Sequence, residues 1–194
     1  MKEKIKILES VLGEVRIKID EPLKYHVENK TSGKALIFYV ATNLKELKQV
    51  LSLSSELKIP FFLIGGGTKM IIPDKGLEGF VIKNRTGSIK ISGVKGKVSP
   101  KGIGVDEAMI EVESGVSFQR LNEFLKEQNL RQLDFPFNLN STMGGSLQFM
   151  PSLQAVTQKV KVFSEGEVFD IDILDLKESD FILSVILKVK SGDS

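Results

Sequence analysis

"IPFFLIGGGTKMIIPDKGLEGFVI", residues 59–82, decides how this chain is read. An apolar run with strand character stops at Gly65, Gly66 and Gly67, and a second apolar run follows within a few residues. Glycine loses more backbone freedom on folding than any other residue, so three in a row after a buried strand need a reason. Exposed amides in such a turn form a cradle for anions. Two common phosphate loops fail here. The P-loop needs Gly-Lys followed by Ser or Thr, whereas here Thr68 precedes Lys69. The dinucleotide fingerprint needs a glycine at the sixth place and a helix at once, whereas Met70 stands there and "KMII" has strand character. The ordinary reading is a flexible surface turn. Against it stand the strongly apolar "FFLI", where a plain hairpin would favour Asn-Gly or Asp-Gly, and a second glycine-rich stretch, "STMGGS", at 141–146.

Outward from this stretch the pattern is mixed. "GKALIFYVAT" (33–42) predicts a strand, and "NLKELKQVLSLSSELK" (43–58) a helix capped by Asn43, with Leu44, Leu47, Val50, Leu51 and Leu57 on one stripe. With 60–64 they form a β-α-β unit of parallel strands covered by a helix. Residues 86–107 predict hairpins and "AMIEVESG" a strand ending at Gly115. "VSFQRLNEFLKEQNL" predicts a second amphipathic helix, 131–152 a long irregular segment, 159–173 a hairpin turning at Glu165-Gly166, and 180–190 a buried last strand. Ile5, Leu8, Val11, Leu12 and Val15 predict a short helix at the start. The expected fold class is α+β: a small β-α-β lobe and a second α/β lobe. The expected divisions are an N-terminal helix over 1–19, a first lobe over 20–85 and a second over 86–194.

Composition narrows the chemistry. The 194 residues are 41% hydrophobic and 27% charged with a net charge of +2, which argues against a nucleic-acid partner. No cysteine and a single histidine, His26, argue against thiol catalysis, iron–sulfur clusters, a His-rich metal site and an imidazole triad. No stretch reads as a signal peptide or a membrane span, so the expected setting is the cytoplasm. The remaining expectation is chemistry supplied by a cofactor.

Four stretches carry a resemblance: "EPLKYHVENKTSGKA" (21–35), "LIGGGTKMIIPDKGLEGFVIKN" (63–84), "VESGVSFQRLNEFLKEQNL" (112–130) and "STMGGSLQFM" (141–150). In this order they resemble the p-cresol methylhydroxylase-type FAD-binding domain. Within that superfamily they are similar to the UDP-N-acetylenolpyruvoylglucosamine reductases, flavoenzymes of peptidoglycan precursor synthesis. The resemblance spans residues 20–190. It implies that the main chain of Gly65, Gly66, Gly67, Thr68 and Lys69 lies against the FAD pyrophosphate, with Thr68 offering its hydroxyl. It further implies that Ser141, Thr142, Gly144, Gly145 and Ser146 form a second wall and Gly115 the neighbouring strand end. NADPH is implied as electron donor where reductase activity is retained.

The chain also departs from that family. "FMPS" (149–152) stands where the family has Met-Asn-Ala-Gly, and "DLKESDFILS" (175–184) lacks the Tyr-Arg-x-Ser motif. The family's substrate-binding domain has no counterpart before Ser194. The expectation is therefore FAD binding with no catalytic residue assigned, and with a partner subunit or further domain supplying the substrate half. Two alternatives stay open: a degenerate binding or structural protein that has lost the flavin, and a flavin electron-transfer subunit of a larger complex. Among the remaining candidates, Arg120 reads as helix surface, Arg131 as a residue able to reach a ligand, and Asp134 as a turn residue.

Overall fold

The computed structural model describes residues 1–29, 31–99, 102–134 and 138–192. Two sheets organise them. The first contains β1 (Lys18–Pro22), β2 (Lys34–Ala41), β3 (Phe61–Ile64) and β4 (Leu77–Asn84) in the order β1-β2-β4-β3. Strands β2 and β3 both run parallel to β4, and β1 closes the other edge antiparallel to β2. The β-α-β unit is thus present, but β4 is inserted between its two strands. Helix α1 (Lys2–Leu12) and helix α2 (Leu44–Glu56) supply Leu8, Leu12, Leu47, Val50 and Leu51 to a core with Ile37, Tyr39, Phe80 and Ile82. Asn43 caps α2 by accepting the Glu46 amide at 3.0 Å.

Two local expectations are corrected. Residues 69–72, "KMII", form no strand. The Met70 carbonyl accepts Asn29 Nδ2 at 2.8 Å and the Ile72 carbonyl accepts Thr31 Oγ1 at 3.1 Å, so side chains take the place of a ladder. Ile72 is buried with Phe38, Ile64 and Val81, while Ile71 is exposed. The segment "KIDEP", not read as a strand from sequence, forms β1. His26 follows that strand, after a 3₁₀ turn over Leu23–Tyr25.

The second sheet is antiparallel, ordered β5-β6-β9-β7-β8. Its strands are β5 (Ile89–Ser99), β6 (Gly102–Glu113), β7 (Thr157–Ser164), β8 (Glu167–Ile171) and β9 (Phe181–Lys190). The β7–β8 turn falls at Glu165-Gly166, both at positive φ (52° and 90°), the geometry of a two-residue hairpin loop. Helix α3 (Phe118–Glu127), capped by Ser117, packs Phe118, Leu121 and Leu125 onto this sheet. The stretch expected to be irregular, 131–152, is largely helical towards its end: α4 (Met143–Ser146), a 3₁₀ turn and α5 (Pro151–Val156). Met143, Leu147, Met150 and Leu153 are all buried at helical spacing, and Pro151 starts α5 where its missing N–H costs nothing. The glycine pair disguised that periodicity.

One ion pair fastens the start of α2. Arg16 donates to both Glu46 carboxylate oxygens at 2.8 and 2.9 Å and to the Val40 carbonyl at 3.0 Å, and its guanidinium lies 4.7 Å from the Tyr39 ring centre. Those bonds, with two more from Thr42, hold the Glu46 carboxyl down at about 2. Because the folded value lies below the ordinary 4.5, this stabilisation is present above that range and fades as pH falls towards 2. Glu46→Gln should cost about 1 kcal/mol near neutrality. It should also flatten the loss of stability between those two pH values, read by urea denaturation at a series of pH values.

Candidate functional site

The glycine triplet leaves β3 at its carboxyl end, where open parallel strands of α/β sheets receive ligands. Each glycine is required by a different neighbour. A Cβ on Gly65 would collide with the Thr142 hydroxyl, one on Gly66 with the Asn140 carbonyl, and one on Gly67 with the His26 carbonyl. Gly67 also has φ +79°. Thr68 Oγ1 and Ser141 Oγ lie 3.0 Å apart. Glu28 ties the second loop down by accepting Asn138 Nδ2 at 2.8 Å and Asn140 Nδ2 at 3.3 Å. The two glycine-rich loops, 73 residues apart at that hydroxyl pair, therefore touch.

The contact leaves polar groups unspent. Among the described residues, the amides of Gly65, Gly66, Gly67 and Thr68 donate no backbone hydrogen bond, while the Gly67 carbonyl accepts the Glu28 amide. Thr142 Oγ1 and Ser146 Oγ are buried without a partner. Native interiors rarely leave such groups unpaired, because each costs about 1–3 kcal/mol.

Two cavities flank the Gly65–Thr142 contact, and Asn84 borders both. One, about 340 Å³, lies between the end of β4 and the first turn of α3 and takes in Lys83, Arg85 and Arg120. The other, about 210 Å³, takes in Gly144, Gly145, Gln148, Glu178, Asp180 and Phe181. Gly115 sits below the first, where a Cβ would strike the backbone of Thr86, and its amide donates to Thr86 Oγ1 at 3.1 Å. Gly144 packs on Ser114 and donates its amide to the Ser114 carbonyl at 2.8 Å. Lys69 is exposed, its ammonium 5.9 Å from the centre of the Phe149 ring. Phe149 points outward and Met150 is buried in the second core, so neither lines the two cavities.

Arg131 and Asp134 do not join this site. They line a separate cavity of about 480 Å³ with Lys188 and Lys190. Arg120, read from sequence as helix surface, does join it. Lys83, Arg85, Glu178 and Asp180 were missed altogether. The continuous apolar run "GFVI" could have flagged Lys83, since a lysine directly extends a strand that is buried to its end. Its ammonium donates to the His26 carbonyl at 2.8 Å. Burial first, then the Arg85 charge, pulls it down to about 8.

The family model described as "FAD binding domain" matches residues 35–148. The chain belongs to the FAD binding domain family. It is 30% identical over 204 aligned residues to a UDP-N-acetylenolpyruvoylglucosamine reductase of Alkaliphilus oremlandii, covering 97% of this chain and 63% of that protein. Across the curated relatives it matches, the chain spans 44–63% of their length in the first two. The solved UDP-N-acetylenolpyruvylglucosamine reductase of Thermus caldophilus superposes with a TM-score of 0.65 at 17% identity, over 90% of this chain and 62% of that one. p-Cresol methylhydroxylase superposes with a TM-score of 0.62 at 13% identity, over 98% and 43%. The fold is that of the p-cresol methylhydroxylase-type FAD-binding proteins, in the α+β class expected from sequence. No described helix is long and apolar enough to cross a membrane, and no described group of His, Cys, Asp and Glu could hold a metal ion.

FAD is the cofactor of this family, and the residues present fit it. Free amides at Gly65–Thr68 suit a diphosphate, and the unpartnered Thr142 and Ser146 hydroxyls offer further hydrogen bonds to a long polar ligand.

Two outcomes follow from the packing. Gly67→Ala should destabilise the chain by at least ~2 kcal/mol, since it combines positive φ with a backbone collision. Gly145→Ala should cost less, because its Cβ would meet only Thr142 Oγ1, at 3.3 Å; thermal melts of the pair test the order. Lys83, held near 8 in the fold against an ordinary 10.5, places an uncompensated buried charge in the native state below pH 8. The stability of the ligand-free chain should therefore gain a rising contribution from pH 8 towards 10.5. Lys83→Met should remove that rise in denaturant titrations.

Proposed function

We propose that these residues bind FAD across the contact between the two glycine-rich loops and act as the flavin-holding part of a UDP-N-acetylenolpyruvoylglucosamine reductase-like protein. One observation carries the reading: the amides of Gly65 and Gly66 and the buried Thr142 hydroxyl, drawn from two separate loops, have no partner among the described residues and border the same cavity. In this reading Gly65, Gly66, Gly67 and Thr68 hold the diphosphate by their main chain, with Lys69 at the outer edge. Ser141, Thr142, Gly144, Gly145 and Ser146 form the facing wall, and Gly115 lets the neighbouring strand end pack directly on the Thr86 backbone at the floor. Bound FAD supplies two-electron redox chemistry. The protein's own contribution is to bind and orient it and to keep water from its buried side.

The reduction itself asks for more. A substrate must be positioned and a proton delivered, and each of these can contribute orders of magnitude. The cations near the first cavity suit anion binding. "FMPS" and "DLKESDFILS" differ from the motifs that the family resemblance associates with the substrate. The relatives are also longer than this chain. We therefore assign the substrate half to sequence outside these residues, either in the same polypeptide or in a partner.

The purified chain should take up FAD, shown by visible flavin absorbance that survives gel filtration and by quenched flavin fluorescence. Thr142→Val should weaken uptake about tenfold through loss of a buried hydrogen bond. The chain alone, with FAD, NADPH and UDP-N-acetylenolpyruvoylglucosamine, should show no substrate-dependent NADPH oxidation. A colourless protein that fails to quench added FAD would overturn the binding reading. Substrate-dependent turnover would overturn the division of labour.

A further inference from the structure

Three cations share the cavity between β4 and α3, and none has a counter-ion among the described residues. Lys83 stands at the end of β4, Arg85 is the residue directly after that strand, and Arg120 lies in the first turn of α3. None of the three forms an ion pair among the described residues, and no carboxylate lines that cavity. Lys83 is almost wholly buried, with 5% of its surface exposed, and among the described residues its ammonium donates to a neutral carbonyl, that of His26, and to no carboxylate. Arg85 lies close enough to disfavour its charge. A protein that gathers like charges around a cavity without a compensating group loses stability, and an anion arriving there recovers it. The cavity is also lined by Gly65 and Gly66, whose amides donate no bond among the described residues, and by Thr142, whose buried hydroxyl has no partner there. The N-terminus of α3, capped by Ser117, opens onto it.

We propose that Arg85 and Arg120 are specificity-determining residues that clamp a diphosphate against the Gly65–Gly66 amides, with Lys83 as a buried positioning charge behind them. The proposal rests on the FAD reading for the identity of the natural ligand, but not for the anion site itself. Arginine presents a planar fork suited to bidentate contact with phosphate oxygens, and both arginines are exposed enough to swing onto a ligand. Lys83 acts differently. Its bond to the His26 carbonyl fixes the same backbone group that Gly67 packs against, so it holds the loop in place as well as adding charge. An anion beside it restores the protonated form. Binding near pH 8–9 should therefore be accompanied by proton uptake, with the direction set by burial and Arg85, the causes that lower Lys83 in the free chain.

The test uses inorganic pyrophosphate, FAD and riboflavin as probes on the whole chain. Wild type should bind pyrophosphate in calorimetry and be stabilised by it in thermal melts. Arg85→Gln and Arg120→Gln should each weaken pyrophosphate and FAD about tenfold, and the double variant more, with a shallower salt dependence. Riboflavin, which lacks phosphate, should bind wild type and both variants alike. Arg131→Gln, in the separate cavity, should change nothing. Calorimetry at pH 8.5 in buffers of different ionisation enthalpy should show proton uptake that Lys83→Met abolishes. If pyrophosphate does not bind, or binds all variants equally, the inference is overturned. FAD bound with full affinity by the double variant likewise overturns it while the flavin reading stands. Arginine-dependent pyrophosphate binding without FAD binding leaves the anion site in place and removes the flavin reading.

Discussion

The structure turns on a contact that has no room for a methyl group. Gly65, at the end of a parallel strand in one sheet, lies against Thr142, which begins the short helix packed on the other sheet. Main chain meets side chain there because glycine permits it. Gly66 against Asn140 and Gly67 against His26 extend the same seam. The triplet thus has two consequences at once. It lets two loops remote in sequence close on one another, and it leaves four consecutive amides outside any ladder, those of Gly65 and Gly66 beside a cavity. The first is steric and satisfied within the protein. The second is electrostatic and calls for a ligand.

Cations and hydroxyls distribute unevenly along that seam. On one side of Thr142 stand Lys83, Arg85 and Arg120; on the other stand Glu178 and Asp180 with Gln148. Asp180 is occupied in part by the Lys177 amide at 2.9 Å, and Gln148 by the Lys177 carbonyl at 2.9 Å, which fixes the turn before β9 against the second loop. The cleft therefore has a polarity, positive towards α3 and acidic towards β9. A ligand carrying its negative charge in one part of its length has a preferred direction along it.

Much of this was legible before any coordinates. Asn43, the leucine stripe behind it, the Glu165-Gly166 turn and the apolar last strand each carry a local signal that tertiary structure respects. The errors share a cause. "KMII" has the composition of a strand, but its carbonyls are claimed by Asn29 and Thr31, which lie some forty residues earlier. "STMGGSLQFM" looks like a loop because of its glycines, yet Met143, Leu147 and Met150 are buried. The contact between the glycine-rich loops was foreshadowed in the sequence, and the cations beside it were not. Lys83, Arg85 and Arg120 are scattered among 27 basic residues, and nothing in their spacing announces that β4 ends and α3 begins beside the same cavity. Charge in a sequence is a count, and only folding makes it a field.

The core beneath the first sheet is completed by Phe163 and Leu183, which belong to the second, and the Phe61 and Phe181 rings meet across the join with centres 4.8 Å apart. Two sheets that share buried side chains cannot hinge freely. Opening the seam would expose those rings to water, at a cost roughly proportional to the apolar area uncovered. The groups that border the cleft are thus held at fixed separations before anything enters it. A guest loses its own freedom on arrival but need not also pay to order its host.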